Sequence, residues 1–235
     1  MESRDQGLGA ADSGSGVGCS DLRKRILLAC LVGISVTPAM AKGDNVNEGQ
    51  MSIDVRVYNY ARVADGRLTQ AERGAAEVFR AAEVGITWVN CQLPQDSRCS
   101  SPLDPTHVGV RILTDLGLTP STTNRTMGYA VGDLASLSLR RVQADAAEFR
   151  VALESVLSPA LAHEIGHLLL ASQGHSSSGI MRARWRREDY ERAPRGALRF
   201  TSRQAETIRT EIRRRTQNQT ATESAATTRA NGKVH

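Results

Sequence analysis

Aromatic side chains are scarce in this chain: three phenylalanines, four tyrosines and two tryptophans make up 4% of its 235 residues. No basic motif is interleaved with aromatics, so the base-stacking platforms of nucleic-acid binders are excluded in spite of a formal charge of +5. Most of the excess positive charge lies in Arg182, Arg184, Arg186, Arg187 and Arg213 to Arg215, which read as a solvated basic face. Long apolar runs are missing too. The run Ile26–Val36 has 11 residues, whereas a membrane span needs about 20. There is no internal repeat, and only four cysteines are present.

What is there begins with an export signal. "LRKRILLACLVGISVTPAMAK" joins a basic start (Arg23, Lys24, Arg25) to the short apolar run and to Ala39-Met40-Ala41, an A-x-A cleavage site. Secretion, or release to the periplasm, is the expected localisation, with retention as an uncleaved anchor the alternative. Residues 1–21 are polar and unlike a signal, which predicts a translation start near Val17 or Leu22. Cleavage after Ala41 removes Cys19 and Cys30. It leaves Cys91 and Cys99 in "CQLPQDSRC", and an even pair in an exported chain predicts a disulfide.

The expected domains are a polar extension with signal peptide (1–41), a short linker (42–51), a catalytic domain (52–215) and a disordered tail (216–235) poor in apolar residues. "SIDVRVYNYARV" alternates as a half-buried strand. A helix follows, with Thr69 and Glu72 spaced as a capping box and Gly85 as its stop. Strands are predicted at Ile86–Cys91 and His107–Leu116, with an edge strand at Thr126–Asp133 weakened by its glycines. Helices are predicted over Gln143–Val156, from Pro159 (capped by Ser158) to about Ser172, and from Thr201. The pattern indicates an α+β domain, α/β-like in its N-terminal part.

The chemistry concentrates in "AHEIGHLLLASQGHSSSGIM", Ala162–Met181. His163 and His167 stand four apart on a helix, so both imidazoles leave one face and can reach one ion at about 2.0–2.1 Å. Glu164 is placed to act on a water at that ion, which is the H-E-x-x-H signature of zinc hydrolases. A catalytic zinc needs a third protein ligand and an open position. His175, freed from the helix by Gly174, is the candidate, with Glu188 and Glu191 as alternatives. The bland reading is a pair of packed core histidines among Ile165, Leu168, Leu169 and Leu170.

The segment resembles the metzincin metalloproteases, whose pattern H-E-x-x-H-x-x-G-x-x-H precedes a Met-turn, and "HEIGH" with "GIM" is most similar to the matrixin branch. The resemblance implies a zincin domain with a mixed twisted sheet, an active-site helix and a C-terminal helix. It also implies one catalytic Zn2+ on His163, His167 and His175, Glu164 as general base, Met181 below the metal, and "MGYA" on the edge strand that pairs with substrate. Two departures stand out: His175 follows His167 by eight residues instead of six, and Leu170 replaces the helix-ending glycine. A longer helix and a tighter turn at Gly174 are the expected accommodation. Trp185 and Tyr190 would line the substrate pocket or belong to the core, and the arginines beyond Met181 would favour acidic substrates or simply be solvated.

The expected function is therefore a secreted zinc-dependent endopeptidase acting on a protein or peptide substrate. It would use a zinc-bound water and a glutamate base, with no nucleic-acid partner, no stable membrane span after signal cleavage, and a monomeric state. The alternatives are a zinc hydrolase of small peptides or non-peptide amides, and a non-catalytic exported zinc-binding protein.

Overall fold

The computed structural model describes residues 51–91, 97–117, 126–170, 174–193 and 198–231. The expected signal segment and linker, up to residue 50, lie outside these residues. The described strands are β1 (Ser52–Asn59), β2 (Gly85–Asn90), β3 (His107–Leu113), β4 (Gly128–Val131) and β5 (Leu134–Ser138). The helices are α1 (Asp65–Arg80), α2 (Ser97–Ser100), α3 (Leu139–Phe149), α4 (Leu153–Leu169), α5 (Arg187–Arg192) and α6 (Ser202–Asn231).

The strands form one sheet in the order β2-β1-β3-β5-β4, parallel except for β4, which runs antiparallel to β5 at the edge. The fold is thus the mixed α+β architecture that the alternation of elements predicts. Alternate residues of the central strands (Val55, Val57, Val108, Val110, Ile112, Ala135, Leu137) are fully buried. They share the core with Leu68, Ala71, Ala75 and Phe79 of α1 and with Leu157, Leu161, Ile165 and Leu169 of α4. The period-2 pattern survives because the other sheet face carries Asp54, Arg56, Tyr58, Arg111 and Ser136. On that face Arg56, only 3% exposed, donates to the carbonyl oxygens of Ser101 (2.5 Å) and Pro102 (3.3 Å). It thereby ties the segment after α2 to the sheet. The disulfide Cys91–Cys99 closes the same segment onto the end of β2 (S–S 1.98 Å).

Several boundaries differ from expectation. Thr69 and Glu72 lie inside α1, which begins at Asp65 after an Ala64 that makes no side-chain cap. The acidic Asp65 in the first turn meets the positive helix end instead. The helix stops at Arg80, and Glu83 rather than Gly85 takes the left-handed conformation (φ 64°) before β2. The predicted Gln143–Val156 helix is two helices, broken after Arg150, which sits at φ 55° and ψ 45° as a left-handed cap. Pro159 consequently lies within α4 rather than at its start, and Ser158 Oγ donates back to Glu154 O at 2.7 Å instead of capping. β5 has no counterpart in the sequence reading, because "LASLS" is short and directly abuts a helix.

At the C-terminus, α6 continues through the stretch expected to be disordered, as far as Asn231. No glycine or proline interrupts residues 202–231. Threonine hydroxyls at 216, 220 and 222 each donate to the carbonyl four residues earlier, at 3.1, 3.1 and 2.9 Å. The start of α6 carries the reciprocal cap absent from α1: Gln204 N donates to Thr201 Oγ1 (3.3 Å) and Thr201 N to Gln204 Oε1 (2.9 Å). Among the described residues, no helix is long and apolar enough to cross a membrane.

Candidate metal centre and cleft

α4 presents the two histidines from its buried C-terminal half. His163 Nδ1 lies 2.8 Å from the carbonyl oxygen of Ile180. A carbonyl only accepts, so Nδ1 carries the proton and the lone pair is on Nε2. That Nε2 stands 3.0 Å from His167 Nε2. Two nitrogens on one tetrahedral ion at about 2.0–2.1 Å would be about 3.3 Å apart, so the pair is spaced for a shared ligand. Burial lowers the pKa of His163 to about 4, the Ile180 bond opposing the shift, so this imidazole is neutral. Neutral imidazoles are the form that binds zinc.

His175 arrives from the segment after α4. Its ring centroid is 5.2 Å from that of His163 and 5.1 Å from that of His167, and one nitrogen from each of the three lies within 4.8 Å of the others. Among the described residues this is the group able to hold a metal ion. Glu188 and Glu191 are not part of it, and Glu191 is ion-paired with Arg187 at 2.8 Å. The eight-residue spacing is not absorbed by a longer helix, since α4 ends at Leu169 with Leu170 as its cap. Between Leu170 and His175, residues 171–173 lie outside the described ones.

Met181 is fully buried under α4. A methyl group on Gly166 would lie 2.8 Å from Met181 Sδ and 2.9 Å from Phe200 Cε1, so the bare Gly166 lets this turn close against the helix. Ser176 N donates to Met181 O (2.8 Å) and Ile180 N to Arg199 O (2.9 Å), and these bonds set where the Ile180 carbonyl points. Trp185 Nε1 donates to the same carbonyl at 3.1 Å, with its ring edge-on to His163. One carbonyl therefore serves both the histidine tautomer and the tryptophan.

Glu164 is 4% exposed, and its Oε2 has no hydrogen-bond partner. Burial raises its pKa to about 8. It opens, with His163 and His175, onto a cleft of about 440 Å³ whose walls include Met127 and Gly128 near β4, Phe149, Trp185 and Tyr190. Trp185 and Tyr190 thus line the cleft, and Tyr190, 2% exposed, belongs to the core as well. At the far wall Tyr190 Oη donates to Asp145 Oδ2 (3.1 Å), and Asp145 is ion-paired with Arg141. Burial pushes the Asp145 carboxyl up against the opposing Arg141 charge, and pushes the Tyr190 hydroxyl well above its ordinary value. Of the arginines past Met181, Arg182 is held by Asp189 (3.0 Å) and Arg187 by Glu191, while Arg184 and Arg186 are exposed.

Sequence reasoning missed Asp145 and Arg141, whose helix was placed too late, and it took Arg215 for part of a solvated face. Arg215 is 8% exposed. Its guanidinium reaches Asp133 Oδ1 (2.9 Å), Glu211 Oε1 (2.8 Å), Pro105 O (3.4 Å) and Leu168 O (3.3 Å). The run of three arginines carries no signal that its last member turns inward.

No protein-family model matches the chain, and no curated protein matches it. Among solved structures it is similar to archaemetzincin from Methanopyrus kandleri, with 18% identity and a TM-score of 0.45, over 72% of this chain and 99% of that one.

Proposed function

We propose that the chain is an exported, zinc-dependent endopeptidase of metzincin-like type. One observation carries the reading: three imidazoles converge to within a single ion's reach beside a buried carboxyl without a partner, on the wall of an open cleft. His163, His167 and His175 would hold the metal, and the neutral donor set suits Zn2+. A zinc ion there would supply a Lewis acid for a carbonyl oxygen and lower the pKa of water.

The protein's own groups do the rest. A cation on the three histidines would favour the ionised form of Glu164 against the burial that raises its pKa. The carboxylate then accepts a proton from the attacking water and delivers it to the departing amine. The Ile180 carbonyl keeps the His163 proton on Nδ1 throughout. β4, at the end of the described strand order, offers its outer edge to an extended peptide. Phe149, Trp185 and Tyr190 form the apolar wall against which a substrate side chain packs. The signal-like segment at residues 22–41 supports export, and the Cys91–Cys99 bridge fits an oxidising compartment. The partner is a protein or peptide substrate, and the chain acts as a monomer.

The test is elemental analysis with X-ray absorption at the zinc edge, on the wild type and His175→Ala, beside cleavage assays on unfolded protein with and without a chelator. The expected result is one zinc per chain, one fewer nitrogen ligand in the variant, and proteolysis abolished by chelation. A folded protein that takes up no zinc, or a zinc shell unchanged in His175→Ala, overturns the assignment of the centre. Stoichiometric zinc with no cleavage of unfolded protein leaves a zinc hydrolase of small peptides or non-peptide amides, or a non-catalytic zinc protein.

A further inference from the structure

Gly128 opens β4 at the rim of the cleft, directly over the carboxyl of Glu164. A Cβ on Gly128 would lie 2.6 Å from Glu164 Cδ and 2.7 Å from Glu164 Oε1, with Ser136 O also at 2.7 Å. Its φ is not among the positive values, so the backbone there is open to any residue. What position 128 requires is empty volume, and the group that fills the volume is the Glu164 carboxyl. On the other side of that carboxyl, Oε2 is enclosed without a partner, so no hydrogen bond to Oε2 fixes its place. Close packing against the bare Gly128 backbone is therefore a contact that places the carboxyl.

We infer that Gly128 is a positioning residue for Glu164: the missing side chain lets the carboxyl lie under the edge strand, between the strand and the histidines. The inference rests on Glu164 being the proton carrier. A side chain at 128 pushes the carboxyl away from β4, off the line between a peptide on that edge and the histidine cluster. Proton transfer tolerates little displacement, and a misplacement of about 1 Å costs on the order of a hundredfold in rate.

The metal-loaded full chain is compared as wild type, Gly128→Ala, Glu164→Ala and the double variant, by thermal melting, zinc content and, for the first two, kcat/KM. Gly128→Ala is expected to keep one zinc per chain while kcat/KM falls roughly 10–100-fold. Its drop in Tm in the wild-type background should shrink by about half when Glu164 is already alanine, because the truncated side chain vacates the space. The remaining drop belongs to the Ser136 carbonyl. If Gly128→Ala folds only in the Glu164→Ala background, the coupling is stronger still and the inference stands. An equal drop in both backgrounds overturns it, as does failure of both to fold, since the Ser136 contact alone would then demand glycine. Wild-type kcat/KM in Gly128→Ala overturns it as well. If the wild type cleaves nothing, the proposed function falls, while the melting cycle still decides whether Gly128 and Glu164 share this space.

Discussion

α4 ends between two buried polar regions that treat charge in opposite ways. On its cleft side, His163 and Glu164 are 6% and 4% exposed, and a carboxyl oxygen is left without a partner. At its C-terminal end, Arg215 is buried to a similar depth, at 8%. There, however, the cation meets two carboxylates and two carbonyl oxygens, one of them on Leu168 of α4 itself. Burying a polar group costs free energy unless partners replace the lost water. The clamp at Arg215 replaces that water with protein, so its burial serves the fold. The cleft leaves the replacement incomplete, and the protein holds a strained protonation equilibrium at the place where a proton would have to move. Partnering, rather than depth, separates these two regions.

The largest effect should come from removing the proposed proton carrier while keeping its shape. Glu164→Gln is expected to retain the metal and lose about 10²–10⁴-fold in kcat, measured on a quenched peptide against metal content by mass spectrometry. Full activity in this variant would erase the contrast, because the unpartnered carboxyl would then be ordinary packing.

On the clamp side the prediction runs the other way. Arg215→Met deletes the cation but keeps much of the side-chain bulk, leaving Glu211 and Asp133 without it. Asp133 is half exposed, which moderates the penalty. A loss of about 2 kcal/mol, or roughly 4–8 °C in Tm, is expected, with zinc stoichiometry unchanged. Calorimetry and metal analysis on one sample would check it. Zinc lost in proportion to Tm would mean that the two ends of α4 are not separable.

A smaller effect sharpens the distinction at a third site. Glu72 of α1 is 5% exposed, with Oε1 unpartnered and only a 3.4 Å hydrogen bond from Asn90 to Oε2. Burial raises its pKa above 4.5. The folded state therefore binds a proton that the unfolded state has released, and stability falls as pH climbs from about 4.5. Glu72→Gln, which never ionises, should melt higher than wild type at neutral pH, with the gap closing as pH drops to 4.5 and below. A pH series of melting curves reads this directly. A gap independent of pH would show that the carboxyl is not charged at a cost.

These contrasts bear on what the sequence discloses. His163, Glu164 and His167 are legible because helical periodicity is local: four residues of spacing place two imidazoles side by side whatever surrounds them. Cys91 and Cys99 are legible for a similar reason, since eight residues of separation keep the pair close whatever the rest of the fold does. β1 announces itself by alternation over eight residues. What stays hidden depends on partners distant in the chain. Arg150 ends α3 in a left-handed conformation without being glycine or asparagine, so the break between α3 and α4 has no residue-type signal. Arg215 looks like its neighbours Arg213 and Arg214 and differs only in what α6 packs against. The space that Gly128 leaves for a side chain 36 positions away is likewise invisible until the chain is folded.

The Arg215 clamp also sets an order of events during folding. Its carbonyl partners on Pro105 and Leu168 lie 110 and 47 residues earlier, and Asp133 belongs to the turn between β4 and β5. Loops of that length close slowly, because chain entropy is spent before any contact returns it. The sheet and α4 can therefore collapse around their apolar core while the turn beneath β3, the β4–β5 turn and the end of α4 still move independently. On this reasoning those three come into register late, when α6 docks, and folding kinetics of Arg215→Met would test it. The clamp's hold on Leu168, the residue after His167, thus ties one end of the histidine helix to three separate stretches of chain.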